Sequence, residues 1–134
     1  METVVRLVVT SDTLNSEDIT SRVGVSGTRT WNVGDVRLGT KIKEKENGWL
    51  LNSSVEKASE LEEHIESIKS LVSGFEDNFK KFASIEGNDV ELSVVLYFSD
   101  RPPLGLESED ITWLYKIGAS VDIDLYPMPS EDDS

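Results

Sequence analysis

The pentapeptide SEDIT occurs at Ser16–Thr20 and again at Ser108–Thr112, and its two settings decide how the chain is organised. Each copy follows an apolar stretch ending in Ser-Asp: Val4–Thr10 (VVRLVVT) before Ser11-Asp12, and Glu91–Phe98 (ELSVVLYF) before Ser99-Asp100. Each opens a short helix closed by a glycine, Gly24 or Gly118, a residue that accepts the left-handed backbone of a helix stop. Asn15 can cap the first helix, and Asp18 stands three residues later in the capping-box position. Glu17 and Asp18 also meet the positive end of the helix dipole. A strand follows each glycine: Thr28–Val33 (TRTWNV), with Gly34-Asp35 as a turn behind it, and Ser120–Tyr126 (SVDIDLY). Helix-start chemistry explains the Ser, Glu and Asp but not the matching order of elements around them. Two related strand–helix–strand units account for both.

The insert between the units carries its own signals. Lys41–Gly48 (KIKEKENG) alternates charge and ends in Asn-Gly, the pattern of a polar hairpin tip. Trp49–Leu51 then begins a short strand. Leu61, Ile65, Ile68, Val72, Phe75, Phe79 and Phe82 recur at three- and four-residue steps and form one apolar helical stripe. Gly74 interrupts that stripe, which predicts two helices or a kink. Val4–Thr10 is apolar on both faces apart from Arg6 and suits a central strand. In Ser120–Tyr126, Val121, Ile123 and Leu125 face one way and Asp122, Asp124 and Tyr126 the other. The expected fold is α+β, a single sheet of about five strands with helices packed on it. Two strand–helix–strand units most naturally interleave in the ferredoxin-like manner. Residues 1–127 read as one domain and 128–134 as an acidic, disordered tail.

Composition sets the function classes. A chain of 134 residues buries ~two-thirds of the surface its unfolded form exposes, and 37% hydrophobic with 29% charged residues is ordinary for a globular domain. The absence of cysteine excludes disulfides, thiolate metal sites and a cysteine nucleophile, and fits a reducing compartment. The amino end, METVVRLVVTSD, lacks the basic start of a signal peptide, and its apolar run falls far short of the ~20 residues that span a bilayer. A soluble, cytoplasmic protein is expected. With 26 acidic residues against 13 basic ones, the net charge of −13 repels nucleic acid and anionic membranes and favours a basic protein partner.

Candidate chemistry is sparse. His64 is the only histidine, with Glu60 one turn earlier, but Leu61, Ile65 and Ile68 bracket it and make it a boundary packing residue rather than a ligand or base. Asp122 and Asp124 project from one strand face, where Glu109 or Asp110 could join them, and Arg29 is a candidate cation opposite. Gly24–Thr28 (GVSGT) follows a helix instead of opening one, so it reads as a helix stop and not a phosphate cradle. Trp31 stands among Arg29, Arg37, Lys41 and Lys43, yet the mixed signs of Lys41–Glu46 and the acidic whole speak against a nucleic-acid surface. Trp49 and Trp113 suit core or half-buried anchors, and no Gly-x-Ser-x-Gly motif is present. The expectation is a protein without catalytic residues, metal or cofactor. Its candidate binding residues are Trp49, Ser53, Asp122, Asp124 and Tyr126, on an open sheet face or around a pocket near Trp49 and Asp124.

Taken together, these stretches resemble a bacterial family of uncharacterised domains, the domain-of-unknown-function family 4279. The likeness runs from the first strand to Tyr126. It rests on Leu14–Thr20 with Gly24, on Gly34-Asp35, on Trp49 followed by Ser53, on Gly105-Leu106 and, most specifically, on Leu114 with Gly118–Tyr126. The chain departs from the family pattern at Asn15 and Ser16, where Asp-Pro is common, and at Ser54, where proline often follows the serine. The resemblance implies a small bacterial cytoplasmic domain and supplies no catalytic residues. Some relatives look like immunity proteins of toxin systems. The leading expectation is therefore a non-catalytic interaction domain, immunity-like in its sharpest form, with a small-molecule-binding regulatory domain as the alternative.

Overall fold

The computed structural model of the protein describes residues 1–129. Along the chain run β1 Glu2–Ser11, α1 Ser16–Val23, β2 Arg29–Trp31, β3 Asn47–Asn52, α2 Leu61–Leu71, α3 Glu76–Ala83, β4 Asn88–Phe98, α4 Ser108–Ile117 and β5 Ser120–Pro127. The strands form one mixed sheet in the order β2-β3-β1-β4-β5. β1 lies at the centre, antiparallel to β3 and β4; β2 closes one edge antiparallel to β3, and β5 closes the other parallel to β4. The α+β class and the five-stranded sheet with its helices match the expectation.

The interleaving does not. β2 runs in the direction of β1 with β3 between them, whereas β4 and β5 are immediate neighbours. A ferredoxin-like sheet needs a strand of each unit inside the other. Here β3, from the insert, fills the first unit's gap and the second unit has none, so the units stand side by side.

Strand alternation puts the core on one face. β1 turns Val5, Leu7 and Val9 inward, where Val9 meets Trp49 and Val90, and Leu7 meets Leu51 and Leu92. The helices bring Ile19, Val23, Ile65, Ile68, Phe79, Phe82, Trp113 and Ile117 to the same core. Gly74, at φ +92°, separates α2 from α3 as its place in the apolar stripe predicts. Among the described residues, no helix covers the other face of the sheet.

Two local expectations are corrected. Asn47-Gly48 is no hairpin tip; both residues are buried inside β3, and Gly48 lies under the Trp31 ring, where any side chain would collide with it. The connection turns earlier, where the Thr40 N–H donates to the Arg37 carbonyl at 3.0 Å and Val36 bridges Lys43. Met128, assigned to the tail, is still tied to the sheet by its N–H to the Phe98 carbonyl at 2.6 Å. Residues 130–134 of that tail lie outside the described residues.

Candidate functional site

The uncovered face of β4 and β5 gathers Asp89, Glu91, Asp122 and Asp124. Parallel register sets Asp122 beside Ser93, Asp124 beside Val95 and Tyr126 beside Tyr97, all pointing away from the helices. The two tyrosine rings stack with centroids 5.3 Å apart and planes 19° from parallel. Glu91 sits on the same face of β4; partial burial, then Asp122, Asp89 and Asp124, hold its carboxyl above the ordinary range. Glu46 is raised by the same two causes, burial first and then Asp12, Asp89 and Glu44. The like-charged groups thus form one strip from Glu46 to Asp124. Among the described residues, the ion pairs are Arg37–Glu44, Lys69–Glu66 and Lys69–Asp110, so no cation pairs with Asp89, Glu91, Asp122 or Asp124.

Arg29 does not answer the aspartate pair. It lies on β2, at the opposite edge with three strands between, and stacks on Trp31 at 4.9 Å. Glu109 and Asp110 do not join the pair either, because α4 packs on the helix side of the sheet and Asp110 is buried there. Of the five candidate residues, Asp122, Asp124 and Tyr126 come together. Trp49 is separated from them by the sheet itself: it is fully buried on the helix side, its ring edge-on to Phe79 at 5.7 Å and its Nε1–H donating to the Val25 carbonyl at 3.0 Å. A pocket shared by Trp49 and Asp124 is therefore excluded by strand alternation.

Ser53 lies just beyond β3, its Oγ 2.6 Å from His64 Nδ1. His64 is 1% exposed, buried more deeply than its place beside the apolar stripe suggests. Burial lowers its pKa, so the ring is neutral, and Glu60 meets it through the backbone, its carbonyl accepting the His64 N–H at 3.2 Å.

A third cluster has no counterpart in the sequence reading. Lys69 Nζ lies 2.7 Å from Asp110 Oδ1 and 3.1 Å from Glu66 Oε1, between α2 and α4. Burial works against the Asp110 charge, but Lys69 and Glu62 hold its pKa below the usual value. For Glu62, burial and the neighbouring Asp110 carboxylate push the pKa up to about 7. Carboxyl oxygens of Glu62, Glu66 and Asp110 come within 4.8 Å of one another, a spacing that suits a metal ion. The Lys69 ammonium already serves as their cation. The sequence signal was available: Asp110 falls on the helical stripe of Trp113, Leu114 and Ile117. Beside Glu62 opens a cavity of about 620 Å³ lined by Leu61, Leu96, Leu104 and Leu106, with Glu60 and Glu107 at its wall.

These features define an α+β domain with one helical layer and one uncovered, acidic sheet face. The chain belongs to the family described as Domain of unknown function (DUF4279), which matches residues 1–128. Comparison with curated proteins and with solved structures gives no match. Among the described residues, no helix is long and apolar enough to cross a membrane.

Proposed function

We propose that this protein is a non-catalytic interaction domain that docks a basic protein partner on the open face of β4 and β5. The observation that carries the reading is the strip of Asp89, Glu91, Asp122 and Asp124, unpaired by any cation among the described residues. Lysine and arginine side chains of a partner would relieve that mutual repulsion and speed encounter. The stacked Tyr97–Tyr126 pair offers an amphipathic anchor of the kind that carries interface energy. Neutralising a basic toxin in the cytoplasm is the sharper, immunity-like form of this proposal.

The test is capture from the source cell's lysate with the wild type and with Asp122→Lys/Asp124→Lys side by side, at low and high salt. The reading expects a basic protein held by the wild type, released by salt and lost from the variant. A partner held equally by both, or with no salt dependence, contradicts it. A second reading, a small-molecule-binding regulatory domain, draws on the leucine-lined cavity of about 620 Å³, a ligand-sized space. Its mark would be a metabolite that raises the melting temperature of the wild type but not of Leu106→Trp, which fills the cavity.

A further inference from the structure

A second, smaller cavity of about 180 Å³ lies between the start of β1 and the segment after β3. There the Ser53 N–H donates to the Val5 carbonyl at 3.1 Å and the Thr3 N–H to the Lys57 carbonyl at 2.8 Å. Thr3, Arg6, Ser53, Lys57 and His64 line it. Two of these bury a polar atom that has no partner in the protein, Thr3 Oγ1 and His64 Nε2, in side chains 0% and 1% exposed. Buried polar atoms are nearly always bonded, and each exception calls for an explanation.

The protonation of His64 follows from its surroundings. Burial keeps the ring neutral, against the pull of the Ser59, Lys57 and Glu56 carbonyls and of Glu63. With the Ser53 hydroxyl donating to Nδ1 at 2.6 Å, the one proton of the neutral ring sits on Nε2. His64 Nε2–H is left as a buried donor that meets no acceptor in hydrogen-bond geometry. Arg6 and Lys57 are exposed cations, and neither forms an ion pair among the described residues, in a chain with twice as many acids as bases. Arg6 Nε is held by Asn52 Oδ1 at 3.2 Å, a neutral partner.

We infer that this cavity binds a small oxyanion, a carboxylate or phosphate group, through His64 Nε2–H and Thr3 Oγ1–H inside and Arg6 and Lys57 at the rim. The site lies at the junction of β1 and the segment after β3, and its charge is opposite to that of the strip, although Arg6 stands on the same uncovered face, opposite Ser93.

His64 is the only histidine, so the imidazole nitrogens of the ¹⁵N-labelled chain give a single, unambiguous reporter. The full chain is titrated separately with inorganic phosphate and with acetate, with sodium chloride holding ionic strength constant. The inference expects a saturable shift of the Nε2 signal with a Kd at or below about 1 mM for at least one anion, and the anion that saturates tells phosphate from carboxylate. Arg6→Gln/Lys57→Gln, two exposed changes, should weaken that binding at least ~tenfold, a step of one decade in Kd. Thr3→Val should weaken it as well. No saturable shift with either anion, or an unchanged Kd in Arg6→Gln/Lys57→Gln, overturns the inference.

Discussion

The two SEDIT helices carry the same five residues and bury different ones. In α1, Ser16 and Ile19 are buried and Asp18 is exposed; in α4, Asp110 is buried while Ser108 and Ile111 are exposed. Both helices begin at the serine of the pentapeptide, although Asn15 caps α1 and a Glu107–Asp110 capping box opens α4. Thr20 and Thr112 donate back to the carbonyls of Ser16 and Ser108 at 2.9 and 3.0 Å, and both helices end on left-handed glycines. What differs is the roll of the helix, set by residues beyond the pentapeptide. Ile19 continues to Val23, one turn on, whereas the Trp113, Leu114 and Ile117 stripe of α4 runs through Asp110. A shared local motif thus fixes where a helix begins and leaves open which face it buries. In α4 the result is a buried carboxylate that needs Lys69, and with it the raised pKa of Glu62.

Single substitutions at matched positions test that difference. Ile19→Ala should cost about 3 kcal/mol, as a core truncation does, while Ile111→Ala should stay within about 0.5 kcal/mol. Equal costs, measured by denaturant unfolding, would break the comparison. Asp110→Ala removes the main partner of Lys69 and should cost about 2–3 kcal/mol; the matched change Asp18→Ala, at an exposed helix start, should cost below about 1 kcal/mol. Asn15→Ala removes the acceptor of the Asp18 N–H, a bond of 2.9 Å, and should cost about 1 kcal/mol.

The smallest effect is one of pH. Glu62 keeps its proton in the folded state up to about pH 7, above the ordinary 4.5 of the unfolded chain. Between those values the folded state binds more protons, so the stability this group contributes is full below the unfolded value and lost as pH rises through 7. Glu62→Gln should therefore lose less stability than the wild type from pH 5 to 8. Parallel stability profiles for the two would show that Glu62 titrates normally.

Much of this fold can be read from residue order. Six glycines with positive φ include Gly24, Gly74 and Gly118, each placed by its position after or inside an apolar stripe. The alternation of Ser120–Tyr126 correctly puts Val121, Ile123 and Leu125 toward Leu92, Val94 and Leu96. Strand order is harder, because β4 and β5 pair through contacts that only the assembled sheet specifies. Gly48 shows the same limit: Asn-Gly is a turn signal locally, and only the Trp31 ring from another strand makes it a strand residue. For the site, alternation was enough to group Asp122, Asp124 and Tyr126, while Trp49 and Asp110 needed the knowledge of which face the helices cover.

On the proposed docking face, the acidic strip on β4 and β5, rather than net charge, would select a basic partner. The direct measurement compares partner binding by Asp122→Lys/Asp124→Lys with Glu17→Lys/Asp18→Lys, which changes net charge equally on exposed positions of α1. A docking face on β4 and β5 requires that the first variant lose the partner and the α1 variant retain it. Equal loss in both would assign the binding to overall charge and contradict a docking face on β4 and β5.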